Sequence, residues 1–107
     1  MLDTIADAIR TQPIGDVPWD VVLEHVDPTV LTVNDEQIRD AMRFAASRLK
    51  LVIEPAAATG LAAALDGQIA AAFDEDNDGT KPKRVPTVAV VLCGGNVDPA
   101  MLGAVLA

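Results

Sequence analysis

Two short runs hold the residues best equipped for chemistry. The first is Cys93-Gly94-Gly95-Asn96, which directly follows an apolar, β-branched stretch and precedes a helix-start pair, Asp98-Pro99. Ligands of open α/β sheets sit at the carboxyl ends of strands, and glycines there let a ligand approach the backbone. The same pattern also makes a tight turn, and the local residues leave both readings open. The second is Glu54, an acid set between Ile53 and Pro55 in an apolar stretch. A buried carboxylate needs a partner or a raised pKa, both common at sites, whereas an exposed one would be a first-turn acid at a helix N-terminus.

Other candidates fall short of a site. Asp74, Asp76, Asp78 and Gly79 match the first half of a calcium loop, but its twelfth position is Val85 instead of an acid, and Lys81-Pro82 stands where an apolar residue belongs. Residues 74–84 therefore read as an acidic surface loop. A single His25 and a single Cys93 exclude a His-pair metal motif, a multi-thiolate zinc site and an internal disulfide. Lys50, Lys81 and Lys83 read as solvated side chains at a helix end and in the charged loop.

These runs must be held by elements the sequence outlines. Ile5 and Ile9 predict a short helix over residues 4–10 that stops before Pro13 and Gly15. Trp19, Val22, Leu23 and Val26 form an apolar stripe at helical spacing, ended by Asp27-Pro28. The β-branched residues 29–33 predict a strand. Asn34 with Asp35 and Glu36 marks a helix start, leading into a face of Ile38, Ala41, Met42, Ala45 and Leu49. Pro55 opens an alanine-rich helix to Leu65, weakened at Asp66-Gly67 and continued over residues 68–73. Residues 85–92 predict a strand buried on both faces, and Asp98-Pro99 caps a closing helix through Met101, Leu102 and Val105.

Strands alternating with helices predict an α/β fold, a partial open sheet with flanking helices. Two strands alone do not make a stable sheet, so either the first segments contribute further strand or the chain expects a partner surface. The composition narrows the function further. Sixteen acidic against eight basic side chains give a net charge of −8, which repels nucleic acid, and half of the residues are hydrophobic, enough to build one aliphatic core over residues 1–107. The longest apolar stretch is broken by Glu54, Pro55 and Gly60 before the ~20 residues of a membrane span, and the acidic opening is unlike a secretory leader, so the expected address is cytoplasmic.

Four segments, TIADA (4–8), HVDPTVLTVNDEQIRDAM (25–42), RLKLVIEPAAA (48–58) and VVLCGGNVD (90–98), stand in the order and spacing found in the C-terminal part of threonine and serine dehydratases. This group includes serine racemases, and its members are pyridoxal-phosphate enzymes of the tryptophan-synthase-β fold type. The resemblance implies the C-terminal part of the large domain of a fold-type II enzyme that converts L-threonine or L-serine to a 2-oxo acid and ammonia. It places Cys93 at the position facing the cofactor's pyridine nitrogen, where the family usually has Ser. A neutral thiol or hydroxyl there, unlike a carboxylate, does not force that nitrogen to be protonated.

The resemblance also puts Gly94, Gly95, Asn96, Glu54 and Ala8 around the cofactor. Ala8 and Ala57 replace two usual glycines, each adding a methyl group. The Schiff-base lysine, the phosphate-binding glycine loop and the metal ligands of some members belong to the family's N-terminal part. The chain is thus expected to hold no catalytic residue and no metal of its own, to be inactive alone, and to pair with the N-terminal part of the enzyme or with a second copy. The alternative is a non-catalytic, self-associating α/β module derived from such an enzyme.

Overall fold

The computed structural model describes residues 3–11, 13–75 and 87–107, with 73–75 as backbone only. Five α-helices run through the described residues: α1 (Asp16–His25), α2 (Asp35–Phe44), α3 (Pro55–Leu65), α4 (Gln68–Glu75) and α5 (Pro99–Leu106). A 3-10 turn at Asp7–Ile9 precedes them, shorter than the helix expected over residues 4–10.

α2 starts where its capping chemistry lies. The Asn34 carboxamide oxygen accepts from the Gln37 N–H at 3.0 Å, and the Gln37 side chain accepts from the Asn34 N–H at 2.8 Å, a reciprocal box that satisfies two otherwise orphaned donors. Its apolar face, Ile38, Ala41 and Met42, is buried. The helix then widens into a π-helical segment, Ala45–Leu49, ending at Lys50 in the left-handed region (φ 60°). Lys50 occupies the position that glycine usually fills at a helix end, and its ammonium donates to the Ser47 carbonyl at 2.6 Å. The extra residue in that turn carries Leu49 off the expected buried face, and it is exposed.

α3 begins at Pro55, a first-turn residue whose missing N–H costs nothing there. Its small side chains let it lie close against α2: Ala57, Ala58, Leu61 and Ala62 meet Ile38, Ala41, Met42 and Ala45, with Ala6, Ile53 and Val105 completing the core. α5 sits on α2 and the 3-10 turn sits on α3. A carboxylate ties the N-terminal segment down, because Asp35 accepts from the Thr4 hydroxyl at 2.5 Å and from the Ile5 N–H at 3.1 Å. The Thr4 hydrogen bond holds the Asp35 carboxyl below its ordinary pKa, against a smaller opposing effect of desolvation.

Neither expected strand forms a ladder. Residues 29–33 and 87–92 are irregular, residues 85 and 86 lie outside the described set, and no strand occurs among the described residues. β-branched composition favours extended backbone, but a strand needs a neighbour for its N–H and C=O groups. Residues 87–97 instead cross the core face without regular secondary structure, with Val90, Leu92 and Val97 packed against it. Gly60 makes room for that crossing, since a Cβ there would lie 3.3 Å from Val90. The acidic loop expected at 74–84 lies almost wholly outside the described residues.

α1 stands apart. Its predicted stripe of Trp19, Val22, Leu23 and Val26 buries no residue, and the helix touches none of the others among the described residues.

Candidate functional site

Three separated parts of the chain meet at one cleft of about 330 Å3. The 3-10 turn supplies Asp7 and Ala8, the entrance of α3 supplies Glu54 and Pro55, and the approach to α5 supplies Asn96, Val97, Asp98 and Met101. Local chemistry explains the position of each. Asp98 is fixed as the cap of α5, its carboxylate accepting from the N–H groups of Ala100 (2.9 Å) and Met101 (3.0 Å). The 3-10 turn is closed by the Arg10 N–H donating to the Asp7 carbonyl at 3.1 Å.

Glu54 joins two of these parts. Its N–H donates to the Gly94 carbonyl at 2.9 Å, and its Oε1 accepts from the Asn96 N–H at 2.9 Å. Between these two bonds Gly94 adopts φ +78°, a conformation glycine enters freely and other residues rarely do. A Cβ at Gly94 would lie 2.8 Å from Glu54 Cδ and Oε2. At Gly95 the nearest such contact is an ordinary 3.6 Å to the Val52 carbonyl. The first glycine is thus demanded by the geometry and the second is not.

Of the six residues predicted around a cofactor, Ala8, Glu54 and Asn96 line the cleft, and Gly94 packs beneath the Glu54 carboxylate. Cys93 is exposed and does not line it. Five lining residues, Asp7, Pro55, Val97, Asp98 and Met101, are not among the predicted site residues. Asp7 stands next to the alanine that replaces a family glycine, Asp98 is legible in the sequence as a helix cap, and Met101 as a residue of the closing helix.

Among the described residues the cleft is lined by Asp7, Glu54 and Asp98 and by no lysine, arginine or histidine. Arg10 and Arg39 belong to an adjoining shallow depression that also contains Asp35 and shares Asp7 and Met101. Arg10 donates to the Thr4 carbonyl. No group of three His, Cys, Asp or Glu placed to hold a metal occurs among the described residues, and no helix there is long and apolar enough to cross a membrane.

Known proteins resemble this chain in sequence and in fold. L-threo-3-hydroxyaspartate ammonia-lyase of Saccharomyces cerevisiae is 39% identical over 95 residues, covering 89% of this chain and 25% of that protein. Serine racemase of Schizosaccharomyces pombe is 38% identical over 95 residues, covering 89% and 25%. L-threonine ammonia-lyase of Thermotoga maritima is 36% identical over 103 residues, covering 96% and 22%. Among solved structures, a pyridoxal 5'-phosphate-dependent aspartate racemase superposes with a TM-score of 0.74 at 42% identity, over 94% of this chain and 28% of its own. The chain spans about a quarter of the length of the curated relatives it matches. A family profile described as pyridoxal-phosphate dependent enzyme matches residues 1–94, and the chain belongs to that family.

Proposed function

We propose that this chain forms one wall of the cofactor site in a threonine or serine dehydratase, an enzyme that releases a 2-oxo acid and ammonia from L-threonine or L-serine. The observation that carries the reading is the convergence of Ala8, Glu54 and Asn96 on one cleft, since these come from three segments that resemble the dehydratase sequence independently. Relatives named as ammonia-lyases support the reaction class.

Pyridoxal phosphate is the family's cofactor, and the residues of this cleft do not fit the whole of it. The left-handed Gly94 turn packs against the Glu54 carboxylate, and together they form the floor beside the cleft. The three carboxylates, with no cation in the lining among the described residues, are the wrong partners for a phosphate, which is held by helix N-termini and basic side chains. Lys50, bonded to the Ser47 carbonyl, is not in the cleft either. Phosphate binding and covalent attachment therefore fall to groups beyond this cleft, in the remainder of the fold.

That remainder is the partner we propose for the apolar face around α1, where Val17 (84% exposed), Leu23 (65%) and Val30 (81%) stay largely exposed among the described residues. Exposed apolar patches of this kind mark surfaces that another chain segment covers. The reading expects a reducing, cytoplasmic compartment, which suits the free thiol of Cys93.

Native mass spectrometry of the chain isolated from its own cells, followed by an ammonia assay on the recovered species, tests this. The expected result is a complex with further polypeptide and cofactor that releases ammonia from L-threonine or L-serine. A cofactor-bearing complex that instead racemises an amino acid without ammonia release overturns the dehydratase reading, as does a homo-oligomer devoid of cofactor.

A further inference from the structure

Glu54 stands at the N-cap of α3, a place where an acidic side chain ordinarily accepts from the helix's own first N–H groups. It makes no such bond. The carboxylate turns away from α3 and accepts from the Asn96 N–H at 2.9 Å, a partner 42 residues away. Its backbone N–H meanwhile donates to the Gly94 carbonyl at 2.9 Å. One residue therefore grips both ends of the Gly94-Gly95-Asn96 turn, once through its backbone and once through its side chain.

Gly94 is shaped to this grip. At φ +78° it presents no side chain to the carboxylate, and a Cβ would sit 2.8 Å from Cδ and Oε2 and 3.0 Å from Oε1. A free glutamate would swing aside from such a methyl group, but swinging aside breaks the bond to Asn96. The two requirements, glycine at 94 and a long acceptor at 54, are thus coupled.

We infer that Glu54 is a positioning residue: its carboxylate oxygen clasps the Asn96 N–H and so sets the conformation of the turn that follows Cys93, and with it the placement of the Cys93 thiol. This rests on the proposed cofactor-wall reading only for its purpose, because the clasp itself is a property of this chain. The role requires an acceptor at the right reach and not a titrating acid. Gln keeps the acceptor and the reach, Asp keeps the charge but is one methylene short, and Ala keeps neither.

The test is made on this chain with three variants, Glu54→Gln, Glu54→Asp and Glu54→Ala, together with Gly94→Ala. Two readouts are followed: amide hydrogen exchange at Asn96 and the rate of Cys93 alkylation by iodoacetamide, with circular dichroism reporting that the helices persist. Loss of this hydrogen bond is expected to speed Asn96 exchange by about tenfold in the Ala and Asp variants. Glu54→Gln is expected to stay within about threefold of the original chain, the difference between a charged and a neutral acceptor. Gly94→Ala is expected to match Glu54→Ala at Asn96, and Cys93 alkylation is expected to change in all variants except Gln.

If Glu54→Gln behaves as Glu54→Ala with helicity intact, charge and not reach is what matters, and the clasp is overturned. Unchanged Asn96 exchange in Glu54→Ala overturns it equally. Absorbance of bound pyridoxal phosphate in the isolated complex is a separate readout: its absence sinks the cofactor-wall reading and leaves the Asn96 and Cys93 results standing.

Discussion

The two halves of the described chain use apolar residues in opposite ways. In α2, α3 and the segment joining them the buried side chains are small or sit on one face: Ala41, Ala45 and Ala58 are completely buried, and Ile38, Met42 and Ile53 are nearly so. In α1 and its flanks, Val17, Trp19, Val21, Leu23, Val26 and Val30 are larger on the whole, and all are exposed. Hydrophobicity is therefore not what separates a core helix from a bare one here. α2 has a complementary surface within reach, supplied by the alanines of α3, and α1 has none among the described residues. The cleft lies on the packed half, which is why its geometry is defined by this chain alone.

The sharpest way to break the contrast is to remove the largest flexible side chain from the packed half. Met42 is 2% exposed and bridges α2 to the core. Met42→Ala is expected to destabilise the chain by about 2–5 kcal/mol, the cost of lost burial together with an unfilled cavity, measured by urea unfolding. A loss below ~1 kcal/mol would mean that α2 and α3 are no better packed in solution than α1.

Gly94→Ala comes next, at the edge of the packed half. Forcing a Cβ into the left-handed region costs about 1–2 kcal/mol, and displacing the Glu54 carboxylate adds to that. The effect should be read by urea unfolding beside the same substitution at Gly95, where the nearest contact is an ordinary 3.6 Å and the loss is expected to be smaller. Equal losses at the two glycines would remove the special standing of the turn.

How much of this was legible before the structure follows the range of each interaction. The caps at Asn34 and Asp98 and the start at Pro55 were readable because each is a bond or a φ preference acting within three or four residues. Glu54 was visible as an anomalous acid, and Asn96 as part of a glycine turn, but no local pattern joins two residues 42 positions apart. Their connection came only through the family resemblance. The strands expected at 29–33 and 85–92 rested on β-branched composition, which cannot supply the neighbouring strand that a ladder needs. Leu49 was misplaced because periodicity assumes a constant turn, and the chain widens at Ala45–Leu49. Asp98 has a sufficient local explanation as a helix cap, which hides its place in the cleft, and nothing in the sequence around Asp7 marks it.

The cap of α2 tests whether the packed half depends on its ends as well as on its faces. Asn34→Ala removes the acceptor for the Gln37 N–H and leaves the Gln37 side chain half of its box. A loss of about 1 kcal/mol is expected, followed by thermal unfolding, where it would lower the midpoint by several degrees in a chain of this size. Asn34→Asp should keep most of the stability, since a carboxylate accepts the same bond and also suits the positive end of the helix.

The smallest expected effect sharpens the comparison most, because it comes from the other half. Leu23 on α1 is 65% exposed, and its side chain has little to lose in the isolated chain, so Leu23→Ala should change stability by no more than ~0.5 kcal/mol. If the remainder of the fold covers α1, the same substitution in the assembled protein should weaken association, because the methyl groups then lie in an interface where a truncation at a central position costs more than ~1 kcal/mol. Measured side by side, urea unfolding of the chain and dissociation of the complex give two numbers for one residue. A pair of near-zero values would leave α1 as a solvent-facing helix and remove it from the proposed interface. A large loss in the isolated chain would mean that α1 folds back onto the core in solution. The combination of no loss alone and a clear loss in the complex is the one expected of a helix whose partner surface belongs to another polypeptide.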